Sequence, residues 1–196
     1  ALTLSLPLDI SIITTLDALS HSFESIWNKN ANSTSTEYAI TAICSILDNE
    51  PMLKANPDDL NIHNNLLHAS TTAGLAFSNT KTAAAHSISY PLTIHYGIPH
   101  GVASSLSLIP LLDINREWIK EPLDRICSKM DMDYEKLKET IMSIPEGIIP
   151  YSLTDWGIPE DQVPKLADES FTKGRMDNNI VDLTTDDVLM ILKDIY

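Results

Sequence analysis

The stretch DISIITTLDALSHSFESIW, Asp9 to Trp27, reads as one continuous helix. Leu16, Leu19 and Phe23 recur at spacings of three and four and give it an apolar stripe. Asp17 and His21 stand four residues apart, so they share a face one turn apart. A carboxylate and an imidazole on a partly buried helical face need partners. A divalent metal would supply one, and a hydrogen-bonded Asp–His pair is the plain alternative.

The same period continues on both sides of the chain's first third. Ser35 to Lys54 reads as a second helix, with N-caps among Ser33 to Ser35 and Pro57 closing it. Asp58 to Asn79 reads as a third, opened by two acids that suit a helix N-terminus. A fourth runs from about Thr82 to His95, with Pro91 as a kink. A fifth starts near Pro99 and continues through Val102 to Leu112. Tyr134, Leu137, Ile141 and Ile144 keep helical spacing, as do Val188, Ile191, Leu192 and Ile195. Thr184 and Asp187 form a capping-box-like start to that last helix. The proline-rich stretch 145–164 reads as loop or short helix. Strand-like alternation is weak, so the expected fold is all-α, a single helical bundle over residues 1–196.

Bulk properties narrow the function. The chain has 196 residues and a formal charge of -14, with 27 acidic side chains against 13 basic ones. Such a surface repels phosphate backbones, which argues against nucleic acid as a partner. No apolar run reaches about 18 residues, which argues against a membrane span. The start lacks both a basic leader and an initiator Met, so a processed chain or an excised fragment is expected. Cys44 and Cys127 sit among apolar neighbours and outside any CxxC pair. Free thiols in a cytoplasmic protein are the expectation, and a thiolate zinc site is excluded. The six glycines, at 74, 97, 101, 147, 157 and 174, build neither GxGxxG nor GxxxxGK[ST]. The chain carries no phosphate-cradling turn of its own.

Two further histidines join Asp17 and His21 as candidates. His86 follows Ala83-Ala84-Ala85, small residues that let a neighbouring backbone approach, and shares a helical face with Tyr90. His100 lies between Pro99 and Gly101 at a helix start, where an imidazolium is disfavoured and the neutral ring a metal requires is favoured. For His86, a core histidine is the alternative. Together the four offer one carboxylate and three imidazoles, a set that suits Fe²⁺ or Zn²⁺ and leaves a position open for a substrate oxygen. With a divalent ion the site keeps a net charge of +1 and remains a Lewis acid. His63, His68 and His95 carry no motif and are expected to be surface or structural.

These segments resemble a known family. Leu16-Asp17-Ala18-Leu19-Ser20-His21-Ser22-Phe23-Glu24 resembles the DALTHAIE helix of the iron-containing (group III) alcohol dehydrogenases. Ala73 to Asn79 resembles their GMAFSN segment. His86, followed fourteen residues later by His100 within Pro99-His100-Gly101, matches the spacing of their last two histidine ligands. Asn178-Asn179 and Leu183 to Val188 resemble their closing segment. The resemblance implies Asp17, His21, His86 and His100 as metal ligands, Fe²⁺ or Zn²⁺ as the ion, and NAD(P)H as hydride donor. It also implies the C-terminal helical domain of the dehydroquinate synthase-like fold, with the nicotinamide held mainly by an N-terminal domain that this chain does not contain. A chain of this kind alone is expected not to turn over substrate. Many members carry a second histidine where Tyr90 stands here, so a proton-shuttling role at that position gives way to a hydrogen bond or to packing.

Within the family, FSNTKTAAAHSISYPLT and ESIWNKNAN resemble phosphonoacetaldehyde reductases, which form 2-hydroxyethylphosphonate. That resemblance implies Lys81, Lys29 and Tyr90 as substrate-binding candidates, solvated lysines being the alternative. Phe77 is a candidate for the nicotinamide face, with core packing as the alternative. The corresponding expectation is a cytoplasmic homodimer acting on a small alcohol or aldehyde in phosphonate metabolism. Two other readings compete: a helical metal-binding module without catalysis, and a glycerol dehydrogenase-like relative. The second usually has fewer imidazole ligands than the four candidates offer.

Overall fold

A computed structural model describes residues 3–196. They form ten α-helices, with no strand among the described residues beyond a single bridge between Asn28 and Asn179. The helix α1 (Leu8–Ile26) runs through the middle. It packs against α2 (Ser33–Ala55), α3 (Leu60–Thr80), α4 (Ala84–Tyr96) and α5 (His100–Leu106). Ile12, Leu16, Leu19 and Phe23 are wholly buried in these contacts. Each stabilises the fold by about 1.5–3 kcal/mol relative to exposure. Because the stripe is buried on several sides, the polar residues between its members must be satisfied internally. Ser20, Ser22 and Ser25 do this by donating to the carbonyls of Leu16, Ala18 and His21.

Local chemistry sets most helix ends. Asn32, one residue before the expected caps, accepts from the N–H groups of Thr34 and Ser35 and completes a capping box with Ser35. Asp59 caps α3 through the N–H groups of Asn61 and Ile62. At the other end of the chain, Thr184 and Asp187 form both halves of the expected box on α10 (Thr185–Asp194).

The expected fifth helix is two helices, α5 and α6 (Leu108–Asn115), broken at Ser107. Pro110 explains the break. It has no N–H to donate to the carbonyl of Leu106, and its ring would clash there if the helix continued. Two more helices escape the periodicity, α7 (Lys120–Lys129) and α9 (Val163–Glu169). Between α8 (Tyr134–Ser143) and α9 lie turns and one short 3-10 helix, Glu160–Gln162, in line with the expected loop or short helix. They are tied down by Leu153 N–H to the Ile195 carbonyl (2.9 Å) and by the Tyr196 hydroxyl to the Ile158 carbonyl (3.1 Å). No described helix is long and apolar enough to cross a membrane.

Candidate metal centre and its cavity

Three helices converge on one point. α1 brings Asp17 and His21, the first turn of α4 brings His86, and α5 begins at His100. Gly101 makes the convergence possible. An added Cβ there would lie 2.1 Å from the Ile13 carbonyl oxygen and 3.1 Å from the Asp17 Cβ, so only glycine lets α5 lie directly on α1. The Nε2 atoms of His21, His86 and His100 stand 3.5, 3.6 and 3.6 Å from the Asp17 carboxylate oxygens. The His21 and His86 rings stack at 4.3 Å, and the His86 and His100 rings tilt at 5.1 Å.

Those spacings lie at or beyond the limit of a hydrogen bond. They suit atoms that share an ion: ligands about 2.1 Å from a tetrahedral centre stand roughly 3.4 Å apart. The His86 Nε2 is buried and has no hydrogen-bond partner, although its ring is only 2% exposed. An orphaned imidazole nitrogen aimed at a carboxylate and two other imidazoles is the donor set a divalent ion needs. The ligand atoms of Asp17, His21 and His86 lie within 4.8 Å of one another.

Glu24 completes the site and did not emerge from the motifs. Its carboxylate is fully buried. One oxygen accepts from the His86 backbone N–H (3.0 Å), and the other meets the His86 Nδ1 at 2.7 Å. The helix α4 has no side-chain cap of its own at Ala83. Glu24, reaching from α1, therefore serves an orphan N–H at that N-terminus, where its negative charge is favoured. The same contact fixes the tautomer that leaves His86 Nε2 free for an ion. The signal was present in sequence: Asp17, His21 and Glu24 fall at i, i+4 and i+7, one face of one helix.

Charge balance follows from this packing. Burial opposes ionisation of Asp17, but the His21 and His86 imidazoles outweigh it and hold the carboxyl far below the usual carboxylate range. Burial likewise opposes Glu24, and His86 again outweighs it. Burial disfavours a charged His86, yet Glu24 and Asp17 raise it to about 9. Burial pushes His100 down, and Asp17 only partly offsets it.

The three imidazoles of the cluster floor a cavity of about 550 Å³. Phe77, near the end of α3, stacks flat on His21 at 4.2 Å. Tyr90 and Lys81 line the wall. Lys81 caps α3 with φ 68 and ψ 178, a region almost confined to glycine that costs on the order of 1–3 kcal/mol. Lys29 is placed elsewhere: its ammonium donates to Asp182 (2.5 Å) and to the Asp177 carbonyl (2.9 Å), and it does not line the cavity. Lys173 and Arg175 take the place expected for it. His63 is buried and bonded to Thr3 and the Pro57 carbonyl, and His95 pairs with Glu169 at 2.6 Å.

Glu24→Gln should keep the shape of the site but lose the charge that orients His86. Metal affinity, measured by competition with a chromogenic chelator, is expected to fall about 10- to 100-fold with helicity unchanged. An unaltered affinity would remove Glu24 from the support of the site.

Known proteins resemble this chain in sequence and in fold. The C-terminal model of the Fe-containing alcohol dehydrogenase family matches residues 11–196. Long-chain-alcohol dehydrogenase 1 of Geobacillus thermodenitrificans is 28% identical over 185 residues, 89% of this chain and 47% of the relative. The 1,3-propanediol dehydrogenase of Citrobacter freundii is 29% identical over 191 residues, 91% of this chain and 49% of the relative. Sulfoacetaldehyde reductase from Bifidobacterium kashiwanohense, solved in complex with NAD⁺, superposes with a TM-score of 0.90 at 28% identity. That match covers 99% of this chain and 52% of the other. The chain thus spans about half the length of the relatives it matches. Matched along nearly its whole length and folded as those relatives are, the chain belongs to the Fe-containing alcohol dehydrogenase family and corresponds to its C-terminal helical part.

Proposed function

We propose that the chain is the metal-binding catalytic part of a nicotinamide-dependent alcohol dehydrogenase that works as an aldehyde reductase, with phosphonoacetaldehyde as substrate. The observation that carries this reading is the orphaned His86 Nε2. It sits in a group of one carboxylate and three imidazoles, and the three imidazoles line an accessible cavity. Asp17, His21, His86 and His100 fit a divalent ion, Fe²⁺ or Zn²⁺ in its place. Bound there, such an ion supplies Lewis-acid polarisation of an aldehyde oxygen. NADH or NADPH supplies the hydride and is held mainly by a separate nucleotide-binding domain.

The chain's own residues place and shield the substrate. Asp17 contributes the single negative charge among the ligands, so an ion with its direct ligands would keep a net positive charge that draws a carbonyl oxygen. Phe77, flat against His21, presents an apolar surface that excludes water from the side on which a nicotinamide would lie. Tyr90 offers a wall and one hydroxyl donor. Lys81 faces the cavity as a partner for the anionic end of the substrate. The Bifidobacterium relative supports this substrate class, since sulfoacetaldehyde is also a two-carbon aldehyde with a tetrahedral anion.

The test uses the full-length, metal-loaded protein with NADH or NADPH and a panel of aldehydes. Metal-dependent oxidation of the cofactor is expected, and its absence would sink the reading. Lys81→Ala should raise KM for phosphonoacetaldehyde about 10-fold or more over its effect on propanal, the scale of one lost charge-assisted hydrogen bond. Equal effects on both aldehydes would leave a general alcohol dehydrogenase.

A further inference from the structure

Acids outnumber bases two to one in this chain, 27 against 13, and seven of the thirteen cations carry a carboxylate within 4.0 Å among the described residues. Lys81, Lys173 and Arg175 have no such partner among the described residues. All three line the cavity above the histidine cluster, and no Asp or Glu lines it with them. They come from two segments far apart in sequence, the α3–α4 junction and the turn 172–175. Three unpaired cations converging in an acidic protein make a strong local positive field.

The arrangement is built into the fold. The Asn178 carboxamide donates to the Thr82 carbonyl and to the Gly174 carbonyl, both at 2.8 Å, and so ties the two cation-bearing segments together. Asn28 donates to the Lys81 carbonyl (3.2 Å) and helps hold Lys81 in its glycine-like conformation. Gly174, at φ 80, and the Asp177 carboxylate, which accepts from the N–H groups of Gly174 (2.6 Å) and Arg175 (3.1 Å), shape the turn. The Arg175 guanidinium lies 4.4 Å over the Tyr90 ring, a cation–π contact that fixes its plane. The Tyr90 ring in turn stands 6.4 Å from His100. A strained lysine and a stacked arginine, both held by carboxamides and turns, differ from solvated surface cations.

We infer that Lys81, Lys173 and Arg175 form a subsite for a tetrahedral oxyanion on the substrate, with Arg175 as its fixed anchor, and that three cations make it prefer a dianion over a monoanion. This rests on the aldehyde reductase reading and assigns the residues that set its specificity. A planar guanidinium held by Tyr90 presents two N–H donors in parallel to two oxygens of a phosphonate. Lys81 and Lys173 add point charges from either side. A phosphate of the dinucleotide has the same chemistry, so the two sources must be separated by experiment.

The experiment compares wild type, Arg175→Gln and Arg175→Lys in the full-length, metal-loaded protein. Three quantities are read. They are the ratio of kcat/KM for phosphonoacetaldehyde to that for propanal, the KM for the dinucleotide, and the affinity for methylphosphonate by calorimetric titration without turnover. Arg175→Gln is expected to lower the ratio and the methylphosphonate affinity each about 10- to 100-fold. Arg175→Lys should recover part of both, and the dinucleotide KM should move less than about two-fold in either variant. Wild type should bind methylphosphonate more tightly than methanesulfonate. An unchanged ratio with unchanged methylphosphonate affinity overturns the inference. So does a raised dinucleotide KM at an unchanged ratio, which would give these cations to the cofactor. If no aldehyde is reduced, the reductase reading fails while the methylphosphonate titration still decides the subsite.

Discussion

Replacing His86 with alanine is expected to strip the protein of its metal and, with it, of aldehyde reduction. His86 is the most buried of the three imidazoles, and its Nε2 has no other partner. Four-ligand structural sites are worth about 10–16 kcal/mol in total, so one lost ligand costs roughly 3 kcal/mol, or about 10²-fold in affinity. The variant should also lose fold stability, because the buried Glu24 carboxylate would be left without the imidazole it holds. Metal content after dialysis, read by mass spectrometry, and cofactor oxidation should fall together. His95→Ala, at an exposed pair with Glu169, should leave both unchanged. Retained metal in the His86 variant would place the ion elsewhere. The wild-type protein offers a linked readout. Before loading, Glu24 and Asp17 hold a proton on His86, raised to about 9. Near pH 7 an ion must displace that proton, so loading in weak buffer should release roughly one proton per metal.

Gly101→Ala is expected to damage the fold and the site together. The added methyl would sit 2.1 Å from the Ile13 carbonyl oxygen and 3.0 Å from its carbon, against backbone that cannot rotate away. α5 must then move off α1, and the move separates His100 from Asp17 at its first step. Overpacking of this kind costs typically about 1–3 kcal/mol, and a backbone clash lies at the upper end. For a domain of this size that is about 5–10 °C in Tm. Thermal unfolding and metal retention should both report the change. Gly74→Ala is the control: it lies within α3, meets nothing within 4 Å, and should be neutral or slightly stabilising. A Gly101 variant with wild-type Tm and wild-type metal content would refute the close contact of α1 and α5.

The sequence by itself determined those features whose causes lie within a turn or two of the chain. The apolar stripe of α1 and the one-turn spacing of Asp17 and His21 follow from helical period alone. The Thr184–Asp187 box forms because both partners sit within three residues. Even the break at Ser107 was written locally, in Pro110. α7 was harder to read because only Leu123 and Ile126 are buried in it, too short a stripe to stand out from its charges.

Only the tertiary structure decided which side chains of equal reach meet. Glu24 shares the face of Asp17 and His21. Its partner, though, is the first turn of a helix 62 residues away, so nothing near it marks the contact. Lys29 and Lys81 are chemically alike, and each lies at a junction between two helices. Asp182, 153 residues on, captures Lys29, while Asn28 holds the Lys81 backbone where its side chain lines the cavity. Arg175 reaches Tyr90 across 85 residues for the same reason. Local propensity acts over one or two turns, whereas the choice among distant partners depends on which backbones can approach. Gly101 settles that choice here by allowing α5 to rest on α1.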